Sequence, residues 1–293
     1  MTLAYLNGRF LPLEQVGISP LDRGFLFADG VYEVIPVFNG RLFRLTEHIQ
    51  RLHNSLDAIR LPVSLGFEDW LGLLQELVNR NGGGDLSLYL QVTRGAPAIR
   101  DHPFPASSIH PTVFAMVSPL KPYPAAVYRD GIAVITLEDI RWGACQIKSI
   151  ALLANVLARQ QAMDRGATDA ILVRDGYLTE GTASNVFLVM AGVLLTPRKD
   201  QRILPGITRD LVLELARQHG HPCREEDLPA AALESAEEVW FTSSTKEIVP
   251  VTTVDGRRIG AGAPGPVWRR MMDLYQAYKR AVCPAPELKR RAS

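Results

Sequence analysis

Two asparagine–glycine pairs constrain the fold of the first part of the chain more than any other feature of the sequence. Residues 3 to 16 alternate apolar and polar side chains around Asn7-Gly8, and residues 31 to 43 show the same pattern around Asn39-Gly40. Asn-Gly is the strongest short-range signal for a two-residue hairpin turn, because both residues tolerate a positive φ. The pattern therefore predicts hairpins of an antiparallel sheet.

Apolar spacing divides the rest of the chain into short strands and amphipathic helices. Helices are predicted at 45–59, 67–80, 150–163, 206–219 and 266–282. Strands are predicted at 86–93, 112–117, 132–137, 169–173, 186–190 and 238–242. Asp175-Gly176 is predicted to be the hairpin turn between 169–173 and 186–190, with 179–185 as an irregular approach to the second of these strands. The acids, arginine and glycines from Asp22 to Gly30 predict a tightly turned loop that leads into the strand beginning at Val31. The sequence thus predicts an α+β fold of antiparallel or mixed sheets with flanking helices.

A segment with three prolines, Pro119, Pro122 and Pro124, predicts an extended linker between two domains. The predicted organisation is a smaller N-terminal α/β domain over 1–120 and a larger C-terminal domain over 121–283. The remaining residues, 284–293, combine prolines with basic side chains and are predicted to form a disordered tail.

Charge and cysteine content narrow the functional classes. With 32 Lys plus Arg against 31 Asp plus Glu, no global field would attract nucleic acid or an anionic membrane. No apolar stretch approaches the ~18 residues of a membrane span, and no secretory signal is recognisable. The three cysteines are widely separated, which argues against a zinc or other metal site and indicates a reducing cytoplasm. Small molecules are the expected partners.

Lys148 stands between a predicted strand and a predicted helix, so the sequence predicts that it lies at a helix start. The helix dipole makes that position unfavourable for a cation. Most lysines are simply solvated, and this is the ordinary interpretation of a single lysine. Alternatively, apolar neighbours and the helix end lower its pKa and give a neutral, nucleophilic amine near pH 7.

Other segments carry groups suited to anions. Arg51 lies on a predicted helix, where it is either solvated or buried against an anion such as phosphate. Gly206 and Thr208 mark another helix start, whose free N–H groups favour an anion. Ser243 and Ser244 add hydroxyls after a strand. Each signal is weak alone, but together with the lysine they predict a phosphorylated cofactor that the lysine attacks.

Three further predictions concern the rest of a binding site. Glu180 is either an exposed turn acid or the carboxylate that keeps a pyridine nitrogen protonated, as pyridoxal phosphate chemistry requires. Arg100 and His102 alternate in a Pro- and Gly-rich loop, so both would project to one side, either into solvent or onto a carboxylate. Tyr32 lies on a predicted strand and faces either the surface or a cleft.

These motifs occur in an order that resembles the fold-type IV pyridoxal-phosphate enzymes, in particular the D-amino-acid and branched-chain aminotransferases, over about residues 5–275. The segments that carry the resemblance are Asp22–Gly24, Asp29–Glu33, Ile147–Ser149, Thr179–Gly181, Ser184–Phe187 and Gly206–Arg209. The resemblance implies a two-domain fold with the cofactor, pyridoxal 5'-phosphate, at the domain interface. It also implies a homodimer.

The resemblance also implies individual roles. Lys148 resembles the lysine that binds the cofactor covalently and later carries the substrate proton, and Glu180 resembles the carboxylate on the pyridine nitrogen. The phosphate would be bound by Arg51, Gly206, Ile207, Thr208, Ser243 and Ser244. Leu204 is similar to the residue that packs on the ring. Tyr32, Arg100 and His102 are similar to substrate-binding residues.

Arg100-Asp101-His102 is similar to the carboxylate trap of D-amino-acid aminotransferases, which reaches in from the neighbouring subunit. The resemblance therefore implies transfer of the amino group from a D-amino acid such as D-alanine to a 2-oxo acid such as 2-oxoglutarate. Ala183 departs from that subgroup, which tends to have a hydroxyl there. The alternatives are an L-selective branched-chain transaminase, an aminodeoxychorismate lyase and a cofactor-binding protein without enzymatic activity.

Overall fold

The structure, a computed structural model, describes residues 2–285 of the chain. Met1 and residues 286–293 are outside this range, so most of the tail predicted at 284–293 lies outside the described residues. Within the range, none of the helices combines the length and the apolarity that a membrane-spanning segment requires.

The first sheet has six strands, and all its neighbouring pairs are antiparallel. The strands are β1 (Leu3–Leu6), β2 (Arg9–Pro12), β3 (Gly30–Phe38), β4 (Arg41–Leu42), β5 (Leu86–Thr93) and β6 (Thr112–Pro119), in the order β2-β1-β6-β5-β3-β4. Asn7-Gly8 and Asn39-Gly40 turn β1 into β2 and β3 into β4, and all four residues have positive φ. Both predicted hairpins are therefore confirmed.

The second sheet has nine strands and is mixed. Its strands are β7 (Ile132–Glu138), β8 (Asp169–Arg174), β9 (Tyr177–Gly181), β10 (Asn185–Met190), β11 (Val193–Thr196), β12 (Cys223–Glu225), β13 (Glu238–Ser243), β14 (Glu247–Val254) and β15 (Arg257–Arg258). The order is β12-β11-β10-β13-β14-β7-β8-β9, with β15 beside β14. β7 runs parallel to β8 and β14, and β13 runs antiparallel to β10 and β14.

The prediction of an irregular segment at 179–185 was wrong for its first half, because Thr179–Gly181 belongs to β9. Asp175-Gly176 therefore turns β8 into β9, and not into the strand at 186–190. The polar sequence of β9 gives a weak strand signal. Pairing with β8, in which Val173 opposes Leu178, supplies what the local sequence lacks.

The helices are α1 (Arg23–Phe27), α2 (Leu45–Ala58), α3 (Phe67–Arg80), α4 (Ala125–Asp130), α5 (Leu153–Asp164), α6 (Ile207–Gln218) and α7 (Pro266–Val282). The predictions for α2, α3, α6 and α7 agree within one residue at each end. α5 begins three residues later than predicted. α1 lies in a segment predicted as a loop, where the Asp22 carboxylate caps it by accepting a 2.8 Å hydrogen bond from Gly24 N.

Three apolar clusters hold the elements together. α2 and α3 cover the first sheet around Trp70, whereas α6 and α7 cover one face of the second sheet around Trp240. The other face packs on residues 230–234 around Phe241. Phe43, from the first half of the chain, packs against Tyr275 of α7, with ring centres 6.0 Å apart. The two halves thus share a core, and the division into domains at residue 120 stays a prediction.

Candidate active site

A cavity of about 570 Å³ opens between the two sheets, which is in the size range of small-molecule sites. Every predicted site residue except Arg100 and His102 lines it, namely Tyr32, Arg51, Lys148, Glu180, Leu204, Gly206, Ile207, Thr208, Ser243 and Ser244. The structure therefore brings together side chains that are up to about two hundred positions apart in the sequence.

Lys148 does not lie at a helix start, so that prediction was wrong. It lies in a loop that ends before α5 and runs beside β3, where Tyr32 N donates a 3.0 Å hydrogen bond to Lys148 O. Lys148 N donates to Ser55 Oγ of α2 at 3.2 Å, and Ser149 forms a bridge with Val31. The loop is therefore positioned by the first sheet and α2, and not by a helix of its own.

The pKa of Lys148 is lowered from 10.5 to about 8, first by burial and then by the positive charge of Arg51. Removing an ammonium from water penalises its charged form. Near pH 7 the neutral amine is therefore much more populated than it is in an ordinary lysine. The amine lies 4.2 Å from the centre of the Tyr32 ring. A nucleophilic lysine near neutral pH is the chemical consequence.

Glu180 lies on β9 with both carboxylate oxygens engaged. Oε1 accepts a close hydrogen bond from Arg141 Nη1, and Oε2 accepts from Asn185 Nδ2 at 3.0 Å and from Leu204 N at 3.1 Å. Burial raises the pKa of Glu180, and the Arg141 guanidinium opposes that effect. The exposed turn acid considered from the sequence is excluded, since Glu180 is only 5% exposed.

Arg51 is buried on α2, but the anion beside it is a carboxylate of the same chain. Its Nε and Nη2 each donate a 2.7 Å hydrogen bond to Glu33, and Nη1 donates to Pro205 O at 3.0 Å. His48 Nδ1 is also 2.7 Å from Glu33. Burial raises the pKa of Glu33, but Arg51 outweighs burial and lowers it to about 2. Glu33 thus holds Arg51 at the wall of the cavity.

The start of α6 forms another wall. A Cβ at Gly206 would lie 1.9 Å from Asn185 Oδ1, so only glycine lets the helix start approach Asn185 this closely. The first N–H groups of a helix have no partner within the helix and attract anions. Ile207 and Thr208 present these groups at the cavity, where Ser243, the last residue of β13, and Ser244, which follows it, also lie. This donor set suits a phosphate.

Two buried hydroxyls of the cavity wall lack protein partners. Ser184 Oγ and Thr242 Oγ1 are fully buried and form no hydrogen bond within the part of the chain that the structure describes. A buried hydroxyl without a partner is costly, so such groups usually meet a ligand or water. Together with the lysine and the helix start, they fit the phosphorylated, polar cofactor predicted from the sequence.

Arg100 and His102 lie outside the cavity, on an exposed loop. Both pack on the Phe27 ring, with Arg100 Cζ 4.5 Å and the His102 ring centre 5.1 Å from its centre. They therefore project to the same side, as their alternation indicates. The buried Arg23 holds the loop by donating to the backbone carbonyls of Asp101 and His102.

Sequence reasoning gave no role to three residues that shape the site: Glu33, Arg141 and Asn185. Arg141 Nη2 donates to Asp139 Oδ2 at 2.8 Å, so one guanidinium joins two carboxylates from distant segments. The Asp139-x-Arg141 spacing was a usable signal, because the two side chains can pair locally. Nothing local linked either residue to Glu180, which lies 39 positions after Arg141.

Residues 30–254 match the amino-transferase class IV family. The chain is 42% identical over 270 residues to a D-alanine aminotransferase from Bacillus licheniformis, covering 92% of this chain and 94% of that protein. It is 37% identical to a D-alanine aminotransferase from Staphylococcus aureus (strain N315), with 95% and 98% covered.

Solved structures of branched-chain amino acid aminotransferases are also similar to the structure of this chain. A branched-chain amino acid aminotransferase from Escherichia coli superposes with a TM-score of 0.86 at 25% identity, covering 100% of this chain and 97% of that one. A branched-chain amino acid aminotransferase from T.th., solved with pyridoxamine 5'-phosphate, superposes with a TM-score of 0.88 at 29% identity, with 96% and 94% covered.

Proposed function

Because this chain belongs to the class IV aminotransferases, we propose that it moves the amino group of a D-amino acid, such as D-alanine, to a 2-oxo acid such as 2-oxoglutarate. The predicted fold-type IV architecture and the predicted pyridoxal-phosphate-dependent aminotransferase are confirmed by the family and its relatives. The D-substrates are supported by the D-alanine aminotransferases at 36–42% identity. The branched-chain enzymes support the alternative only through their common fold.

The observation that carries the proposal is one cavity that joins a lysine of lowered pKa, an ion-paired carboxylate and an anion-binding helix start. When bound, pyridoxal 5'-phosphate supplies an electron sink for charge that develops on the substrate. Ile207, Thr208, Ser243, Ser244 and Arg51 would hold its phosphate. These are the donor types that phosphate prefers.

Each remaining residue has a task that its surroundings suit. Glu180, held by Arg141 and Asn185, would keep a proton on the ring nitrogen. Lys148 can accept a proton at Nζ and return it, because its pKa of about 8 is close to neutrality. The Tyr32 hydroxyl stays protonated, since burial and Glu33 raise its pKa to about 12, and it can donate a hydrogen bond to a substrate.

We expect D-alanine, and not L-alanine, to bleach the absorbance band of the purified yellow protein. Lys148 serves one face of the cofactor. The side of the pocket that holds the substrate carboxylate therefore decides which enantiomer directs its α-hydrogen towards Lys148 Nζ. The measurement is a rapid-mixing absorbance trace with each enantiomer. Bleaching by L-alanine alone would overturn the D-selectivity.

The same samples separate the remaining alternatives. An aminodeoxychorismate lyase would release pyruvate from its substrate without an amino acceptor, which a transaminase does not do. A non-enzymatic cofactor-binding protein would show the absorbance band but no bleaching with either enantiomer. A branched-chain transaminase would respond to L-leucine and not to D-alanine.

We also propose a cytoplasmic homodimer. The exposed side of α5 is apolar at Leu153, Val156 and Leu157, which are 72%, 60% and 53% exposed. Val156 also lines the cavity, so a second copy on this side would border the substrate site. Such a copy would offer its own exposed Arg100 and His102.

The dimer predicts a solution mass of twice the 32.4 kDa chain. Leu157→Glu should halve that mass, because a buried carboxylate without a partner strongly disfavours an apolar interface. Light scattering coupled to gel filtration measures both. Val282→Glu, at an exposed valine of α7, is the matched control and should leave the mass unchanged. A wild-type protein that is monomeric and fully active would contradict the proposal.

A further inference from the structure

The cavity contains a second basic cluster, which none of the predicted roles uses. Lys246, in the turn between β13 and β14, and Arg159, on α5, both line the cavity. Asp169, at the start of β8, forms an ion pair with Arg159, and its negative charge also acts on Lys246. Asp169 thus pairs directly with only one of the two cations, and the cluster carries a net positive charge.

Lys246 is half-buried and has no partner. Within residues 2–285 its ammonium forms neither a hydrogen bond nor an ion pair, and it lies 5.7 Å from the centre of the Tyr123 ring. Lys199 and Lys279, by contrast, pair with Asp210 and Glu247. A lysine that lines a cavity and has no ion-pair partner is a natural partner for an anionic ligand.

Arg159 has N–H groups that the described residues do not engage. Its Nη1 pairs with Asp169 Oδ2, but its Nε and Nη2 form no hydrogen bond with the described residues. Asp169, in turn, is fully engaged, because it also accepts from the hydroxyl of Thr182 and from Ala170 N. The carboxylate therefore orients Arg159 and leaves the N–H groups of Nε and Nη2 for a ligand in the cavity.

This outer cluster is electrostatically distinct from the inner one. The charges that act on Lys246 are those of Asp169 and Arg159, whereas those that act on Lys148 are Arg51, Glu33 and Glu180. The inner group already contains an arginine and a helix start for the cofactor phosphate. The outer group is therefore available to bind a different anion, at the side of the cavity bordered by α5.

We propose that Lys246 and Arg159 bind the distal carboxylate of a dicarboxylic substrate, an amino acid or 2-oxo acid of the glutamate type. The inference rests on the proposed transaminase function, whose substrates are amino acids and 2-oxo acids. Lysine supplies a point charge and arginine supplies directed donors, so together they favour a carboxylate over an uncharged side chain. The cavity would thereby select dicarboxylic over monocarboxylic substrates.

Lys246→Met tests the subsite, because methionine keeps much of the length of the side chain without its charge. It should lower the ratio of kcat/KM for D-glutamate to that for D-alanine by about 10- to 100-fold, the loss expected for one charged hydrogen bond. Lys246→Arg should restore most of the ratio. Lys121→Met, at an exposed lysine outside the cavity, is the matched control and should leave the ratio unchanged.

A binding measurement separates this inference from the proposed reaction. Glutarate should bind the holoenzyme more tightly than pentanoate, and Lys246→Met should remove that advantage whether or not D-amino acids are substrates. An unchanged preference for glutarate would overturn the subsite. A second result would also overturn the subsite. If Lys246→Met weakened the affinity for pyridoxal 5'-phosphate, measured by absorbance, and left the ratio of kcat/KM for D-glutamate to that for D-alanine unchanged, Lys246 would serve the cofactor.

Discussion

Replacing Lys148 with alanine is expected to lower kcat/KM for transamination by about 10,000-fold or more. Loss of a nucleophile that also carries the proton commonly costs this much, because no other group takes over both tasks. Lys246 is another lysine of the cavity, but the charged groups that act on it are Asp169 and Arg159 and not those around Lys148. Steady-state kinetics with D-alanine and 2-oxoglutarate measure the loss. Retention of even one-hundredth of the activity would contradict the assigned role.

The control for this variant is its stability. The pKa of Lys148 is lowered in the folded state to about 8 from 10.5, so the folded protein binds fewer protons than the unfolded chain between these pH values. The cofactor-free wild type should therefore lose stability as the pH falls from about 10.5 to 8 and stay at the lower level below that. Lys148→Ala lacks this loss. An inactive variant that remains folded at pH 7 assigns the effect to chemistry.

Replacing Glu33 with glutamine is expected to lower the free energy of unfolding by about 3–5 kcal/mol. Glu33 is fully buried and accepts two 2.7 Å hydrogen bonds from Arg51, so the variant leaves an arginine charge buried without its counterion. Urea unfolding of the cofactor-free protein measures the difference. Glu76→Gln, which breaks the exposed pair with Arg80, is the matched control and should cost less than about 1 kcal/mol.

The cost of Glu33→Gln should depend on pH in a defined direction. Arg51 lowers the pKa of Glu33 to about 2 from 4.5, against the effect of burial, so the ionised carboxylate stabilises the fold fully above about pH 4.5. The contribution is lost as the pH falls from there to about 2. The wild type and the variant should therefore converge in stability towards pH 2. A difference that stays constant over this range would show that the charge is not the cause.

Local sequence patterns predicted much of the secondary structure because the interactions that specify it are local. The Asn39-Gly40 turn and the apolar stripe of α2 depend on neighbours within a few residues, and both agree with the structure. The prediction for the residues of β9 was wrong because the pairing of β9 with β8, and not its own composition, makes it a strand. The predicted start of α5 was three residues too early because the Lys148 loop is held by Ser55, 93 positions away in the sequence.

By itself, the sequence determined the hairpins, most helices and the family, because turn residues, apolar spacing and motif order can be read along one chain. The tertiary structure alone decided how the site is charged. It placed Glu33 against Arg51 and Arg141 against Glu180, pairs 18 and 39 positions apart, and it left Lys246 without a counterion in the described residues. The physical reason is that burial and electrostatic pairing depend on distance in space, which sequence spacing does not specify. The lowered pKa of Lys148 follows from this burial and from Arg51, and not from the helix end that the sequence indicated.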